Sequence, residues 1–235
     1  MDASTKIALV TGGNRGLGFE TCRQLGRLNF KVILGARDKN KGEAAAAKLR
    51  QEKLDVSWQA LDVTNPESIS SLRQFVADKF GRLDVLINNA AILLGEDTNV
   101  LELSVDELRH SMDSNVYGPL LLCQAFVPLM QKNGYGRVVN VSSVAGQLAS
   151  MTSYAPAYSM SKTCLNALTR LVSAQTRTHN ILVNAVCPGW VKTDMGGSAA
   201  PLSPVEGADT IVWLAMLPDG GPNGEFFQNR RVVRW

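Results

Sequence analysis

Short apolar runs recur along the chain at intervals of a helix length. They are KIALVTG (Lys6 to Gly12), KVILGAR (Lys31 to Arg37), VSWQALDV (Val56 to Val63), LDVLINNA (Leu83 to Ala90), GRVVNVSS (Gly136 to Ser143) and ILVNAVCPG (Ile181 to Gly189). Rich in Val, Ile and Leu, they have the pattern of strands covered on both faces. Between them lie segments with helical spacing: Leu17 to Leu28, Lys41 to Glu52, Pro66 to Phe80, Val105 to Gln131 and Tyr154 to Thr178. This alternation predicts an α/β fold, a parallel sheet wrapped by helices. Thr64 precedes Pro66 at a first helical position, and Ser104 stands three residues before Glu107 in capping-box spacing.

Two turn-rich stretches, Gly196 to Pro204 and Leu217 to Gly224, read as loops, the first long enough to cover a site. No Pro/Ser-rich linker divides the 235 residues, so a single domain is expected. The net charge of +3 is scattered apart from Arg230, Arg231 and Arg234, which gives no support to nucleic-acid binding. No apolar run reaches the length of a membrane span, and the polar opening MDASTK runs straight into a strand, so a cytoplasmic protein without a signal peptide is expected. Cys22, Cys123, Cys164 and Cys187 lack paired metal spacing and are expected as free thiols in the core. His110 and His179 are too isolated for a metal or triad site, so no metal is expected and both belong at the surface.

The first strand leads into TGGNRGLG, Thr11 to Gly18, and then into a helix. Glycines permit a tight turn and close approach of a pyrophosphate, while the helix N-terminus offers free N–H groups and a positive dipole end. A dinucleotide fits such a turn, with Gly12, Asn14, Arg15, Gly16, Leu17 and Gly18 around it. The spacing differs from the G-x-G-x-x-G fingerprint and lacks the Lys-Ser/Thr of a Walker loop.

YSMSK, Tyr158 to Lys162, is weak evidence alone, because a Tyr-x-x-x-Lys arises easily by chance. It stands here in an ordered set: the glycine turn, NNAA at Asn88 to Ala91, Asn115, Ser143, YSMSK, and PGWVKT at Pro188 to Thr193. Together these motifs resemble the short-chain dehydrogenase/reductase family over nearly the whole chain. Within it the chain is most similar to carbonyl reductases, through TGGNRGLG, VILGARD, LDVTNPESI and the ending GEFFQNRRVVRW. The resemblance implies a Rossmann-type, doubly wound parallel sheet flanked by helices on both faces. Residues 1–135 would form the cofactor half and 136–235 the catalytic and substrate half. Two features depart from the family pattern. Ala91 stands where the family has Gly, a change tolerated unless φ is positive there. The Ser143–Tyr158 interval is about two residues longer than usual, yet it lacks the long insertion of some monomeric carbonyl reductases.

NAD-selective sites place an acidic residue about 20 positions after the glycine turn. Here Arg37 occupies the second strand end, and with Arg15 it can clamp a 2′-phosphate, which points to NADP(H). Asp38 is the alternative, a carboxylate able to reach the ribose if the strand ends differently. The resemblance further implies Asp62 on the adenine amino group, Val63 beside the ring, Asn89 and Ala90 beside the ribose, and Pro188, Gly189, Val191 and Thr193 at the nicotinamide end.

Tyr158 and Lys162, at i and i+4, leave one face of a helix. A free tyrosine has a pKa of about 10, and a neighbouring cation is expected to pull that value toward neutrality. Tyr158 is then the proton donor to a carbonyl oxygen, and Ser143 its partner on that oxygen, with Ser142 the other candidate. Lys162 would also hold the nicotinamide ribose, and Asn115 a proton-supplying water near the kink expected at Gly118-Pro119. Tyr154 is a second phenol with no lysine four residues on. Leu148, Met151, Trp190 and Met195 are expected to line a pocket for an apolar or aromatic carbonyl compound. The family usually transfers the pro-S hydride and often pairs through its long helices, so a homodimer or homotetramer is expected. The other readings are a catalytically silent NADP(H)-binding redox sensor and a 3-oxoacyl-carrier-protein reductase.

Overall fold

The computed structural model describes residues 5–235; the first four residues of the polar opening lie outside the described residues. Eight strands form one sheet in the order β3-β2-β1-β4-β5-β6-β7-β8. They are β1 (Ile7–Thr11), β2 (Lys31–Ala36), β3 (Val56–Ala60), β4 (Val85–Asn88), β5 (Gly136–Val141), β6 (Ile181–Val186), β7 (Phe226–Gln228) and β8 (Arg231–Val233). All neighbours are parallel except β7 and β8. The order reverses between β1 and β4, and a doubly wound sheet opens its binding crevice at such a point. No helix of the described residues is long and apolar enough to cross a membrane.

Helices cover both faces: α1 (Gly16–Arg27), α2 (Lys39–Gln51), α3 (Pro66–Phe80), α4 (Val105–Met112), α5 (Gly118–Asn133), α6 (Pro156–Thr176) and α7 (Pro204–Ala215). Successive residues of β1 serve opposite faces, as the pleat requires. Ala8 and Val10 pack with Cys22, Leu25, Leu49 and Ile211 of α1, α2 and α7. Ile7 and Leu9 pack with Ile69, Leu72, Leu122 and Phe126 of α3 and α5. A strand apolar on both sides is thereby explained by two cores rather than one.

Several elements differ from the sequence expectation. The helix expected over Val105 to Gln131 is interrupted by a π-helical turn at Asp113–Tyr117. Pro119, the second residue of α5, has no N–H to continue the ladder, and Gly118 passes so close to Val63 that a Cβ would lie 2.9 Å from its carbonyl oxygen. Helix α7 and the β7–β8 hairpin had no expectation. The three-residue strands are too short to show a period, but α7 carries a full capping box between Ser203 and Glu206. At α4 the Ser104 hydroxyl accepts from the Glu107 N–H at 3.1 Å, and at α3 the cap is Asn65, accepting from Glu67 N–H at 2.8 Å. Cys22, Cys123 and Cys187 are buried, whereas Cys164 is exposed, because it faces away from the sheet beside inward-facing Leu165. Both histidines are exposed.

Beneath the strand ends runs a buried polar chain. Asn88 Nδ2 donates to Asn140 Oδ1 at 2.8 Å, and Asn140 Nδ2 donates to Thr169 Oγ1 at 2.9 Å, tying β4, β5 and α6. Truncating its middle strands the buried Asn88 amide, while Thr169 keeps its bond to the Leu165 carbonyl. Asn140→Ala is expected to lower unfolding free energy by about 2 kcal/mol or more, measured by urea denaturation. An unchanged midpoint would contradict this.

Candidate active site

A cleft of about 1040 Å³ crosses the C-terminal ends of the parallel strands. The turn after β1 forms its floor. Gly12 and Gly16 have φ of +64° and +53°, and a Cβ at Gly18 would lie 2.4 Å from the Gly12 carbonyl oxygen. The N-terminus of α1 has no side-chain cap and no acidic residue in its first turn, which leaves its N–H groups and dipole to an anion. Thr11 ties this turn to β4: its hydroxyl accepts from the N–H of Asn89 at 3.0 Å and of Ala90 at 2.9 Å, while Asn89 Nδ2 donates to the Thr11 carbonyl at 2.8 Å. Ala91 keeps φ negative, so the missing glycine costs nothing there.

All the residues expected around a dinucleotide line this cleft: Asn14, Arg15 and Leu17 with the three glycines, Arg37 just after β2, and Asp62 and Val63 after β3. Asn89 and Ala90 follow β4, and Pro188, Gly189, Val191 and Thr193 follow β6. Asp38 is not among them. It caps α2, its Oδ1 accepting from the Lys41 N–H at 3.0 Å. Arg15 reaches across the cleft to Asp194 at 2.6 Å rather than toward Arg37.

At the other end stand Ser143, Tyr158 and Lys162. Ser142 turns inward, donating to Asn166 Oδ1 at 2.6 Å, whereas the Ser143 hydroxyl faces Tyr158 and accepts from the Ala145 N–H at 3.1 Å. Lys162 Nζ donates to the Val141 carbonyl at 2.8 Å and lies 5.3 Å from the Tyr158 ring centroid. Burial lowers the Lys162 pKa to about 8. Burial also raises Tyr158 well above the ordinary phenol value, offset in part by its bond to Ser143. The downward pull expected from the lysine is not among the influences on Tyr158, whose pKa moves up instead through desolvation.

Asn115 does not line the cleft. It sits in the π-helical turn, with Oδ1 accepting from the Ile92 N–H at 2.9 Å and Nδ2 donating to the Ile92 carbonyl at 2.9 Å and to Ser161 Oγ at 3.0 Å. Trp190 and Met195 line the cleft, but Leu148 and Met151 do not. The segment before α6 contributes Ser150, Thr152 and Tyr154, and alternation in extended chain turns Met151 away, while Leu148 is 70% exposed. Ile92, Leu93, Glu96 and Gln228 also line the cleft, without having been singled out from the sequence.

The sequence model described as short chain dehydrogenase matches residues 6–201. This chain belongs to that family. Carbonyl reductase [NADPH] 1 of Mus musculus is 35% identical over 282 aligned positions covering all of both chains. That alignment is longer than this chain, so the relative carries segments absent here. (+)-Neomenthol dehydrogenase of Capsicum annuum is 33% identical, with 98% of each chain covered. Among solved structures, the NADPH-bound carbonyl reductase from chicken fatty liver superposes with a TM-score of 0.88 at 30% identity, covering 98% of this chain and 99% of that one. Salutaridine reductase from Papaver somniferum gives 0.85 at 30% identity over 94% and 99%.

This short-chain dehydrogenase therefore carries its phenol and ammonium in a desolvated pair. In lysine-labelled protein, NMR is expected to show Lys162 titrating near 8 instead of its ordinary 10.5. A transition above 10 would remove the desolvation argument.

Proposed function

We propose that this short-chain dehydrogenase reduces the carbonyl of a ketone or aldehyde with NADPH, Tyr158 donating the proton to oxygen. The observation that carries the reading is the Ser143–Tyr158–Lys162 group, its lysine buried and its two hydroxyls half-buried, in a cleft that the glycine turn also lines. The glycine turn, with no room for a Cβ at Gly18, and the uncapped α1 N-terminus fit the pyrophosphate. Arg37, exposed at the cleft rim, supplies charge for a 2′-phosphate, and the capping role of Asp38 removes the competing carboxylate. When bound, NADPH supplies a hydride to the substrate carbon.

The chain's own residues handle the oxygen. Ser143 and Tyr158 both bond to it, and their hydrogen bonds strengthen as negative charge develops there. Tyr158 is neutral at neutral pH like any phenol, and desolvation raises its pKa further, so it stands in the state a donor in reduction requires. As the proton leaves, the Lys162 ammonium stabilises the phenolate from the same helix face. Asn115 positions the π-helical turn, where backbone carbonyls leave the regular ladder and can hold the water that returns a proton. Because Lys162 must be charged, reduction should weaken as pH rises through about 8. Ile92, Leu93, Trp190 and Met195 give the substrate end the walls for an apolar or aromatic compound.

The outward face of α6 bears Cys164, Ala167, Leu171 and Ala174, exposed apolar positions in helical register, and Leu171 is 69% exposed. This stripe supports pairing of two copies as a homodimer or homotetramer. Free thiols at all four cysteines accord with the cytoplasm.

NADPH oxidation followed at 340 nm with a panel of ketones and aldehydes is expected to fall on the order of 10²–10⁴-fold in Tyr158→Phe, with NADPH binding retained. In the same assay Arg37→Ala is expected to raise the KM for NADPH about tenfold and leave that for NADH unchanged. Full activity in Tyr158→Phe would overturn the reading. Light scattering should give a multiple of the single-chain mass at micromolar concentration; a monomer would contradict the pairing.

A further inference from the structure

The substrate end of the cleft carries a charge that carbonyl reduction itself does not use. Glu96, in the loop after β4, lines the cleft, and its Oε1 accepts a hydrogen bond from the Tyr154 hydroxyl at 2.9 Å. Backbone contacts hold the two together: the Ala155 N–H donates to the Glu96 carbonyl at 3.0 Å, and Ser159 Oγ donates to the Tyr154 carbonyl at 2.8 Å. Ala155 is left-handed, with φ of 41°, a conformation that a non-glycine keeps only where its surroundings enforce it. The carboxylate is thus fixed at the start of α6, one turn before Tyr158. Burial, the Glu96 bond and the charges of Glu96 and Asp97 raise the Tyr154 pKa to about 12, so this phenol stays a donor.

Two aromatic side chains, Tyr154 and Trp190, line the same cleft. Trp190 commits its indole N–H to the Gly196 carbonyl at 2.7 Å, which leaves the ring face as its means of recognition, and it is 56% exposed. Among the described residues the basic side chains of the cleft are Arg15, Arg37 and Lys162. Arg15 is paired with Asp194, Arg37 follows β2, and Lys162 is buried against the Val141 carbonyl. Nothing cationic therefore answers Glu96.

We propose that Glu96, bonded to Tyr154 in a cleft that Trp190 also lines, selects carbonyl substrates bearing a protonated or quaternary amine away from the reacting carbon, and disfavours those bearing a carboxylate or phosphate. This rests on the reductase reading for the reaction itself. A partly exposed ion pair with a cation–π contact gives a preference on the order of three- to tenfold, which shrinks with added salt.

Two arms test it, one with turnover and one without. In the first, kcat/KM with NADPH is compared for benzaldehydes carrying a para trimethylammoniomethyl, neopentyl or carboxymethyl group. In the second, calorimetry on the NADP⁺ complex compares benzyltrimethylammonium with phenylacetate. The cation is expected to be favoured in both arms. The cation-to-anion ratio should collapse toward one in Glu96→Gln and invert in Glu96→Lys, with thermal melts confirming that the variants fold. Equal handling of cation and anion by the native chain, or a preference that survives Glu96→Lys, would overturn the proposal. Turnover without charge preference would sink charge selection alone. Glu96-dependent cation binding with no turnover of any aldehyde would sustain it and sink the reductase reading.

Discussion

The site depends on burying an ammonium that has one carbonyl to bond. Lys162 is 2% exposed, and its Nζ donates to the Val141 carbonyl at the end of β5. It stays dry because α6 is fastened to the segment after β5 with no spare room. A Cβ on Gly146 would lie 2.7 Å from the Lys162 backbone carbon, and the Gly146 carbonyl accepts from both Thr163 Oγ1 and Asn166 Nδ2 at 3.2 Å. Ser142 completes the fastening through Asn166. One desolvated space therefore pushes the lysine down and the tyrosine up, which keeps a neutral acid beside a cation that is readily lost in base.

The phosphate end is built by a different constraint, the reversal of strand order between β1 and β4. Thr11 spans that gap with hydrogen bonds to Asn89 and Ala90, and the glycine turn rests on the same junction through the close approach of Gly18 to Gly12. The two ends are coupled through the buried Asn88–Asn140–Thr169 chain, which runs from β4 to α6. Charges at the rim, Arg37 at one end and Glu96 at the other, are free to vary without disturbing this frame, because neither is buried.

Most of the sheet was legible because its strands are apolar on both faces, and the glycine turn because its spacing has a steric cause. Arg37, Asp62, Asn89 and Thr193, singled out from the ordered motifs, all line the one cleft. What could not be read was set by contacts distant in sequence. The inward turn of Ser142 follows from Asn166 on another element; the kink expected at Gly118-Pro119 is present, but its form, a π-helical turn over Asp113–Tyr117 with Gly118 close against Val63, was not legible. Leu148 and Met151 were expected in the pocket on hydrophobicity alone, but the direction of extended chain decides which side chains enter. Glu96 has no motif, and only its bond to Tyr154 marks it.

The most direct test of the account is to follow a label from cofactor to product. NADPH carrying deuterium at the pro-S C4 position is incubated with the native protein and an aryl aldehyde, and the alcohol is examined by mass spectrometry. Deuterium on the carbinol carbon, lost with Tyr158→Phe, is the result the account predicts. Tight NADPH binding with no label in any alcohol, or label transfer undiminished in Tyr158→Phe, would contradict it.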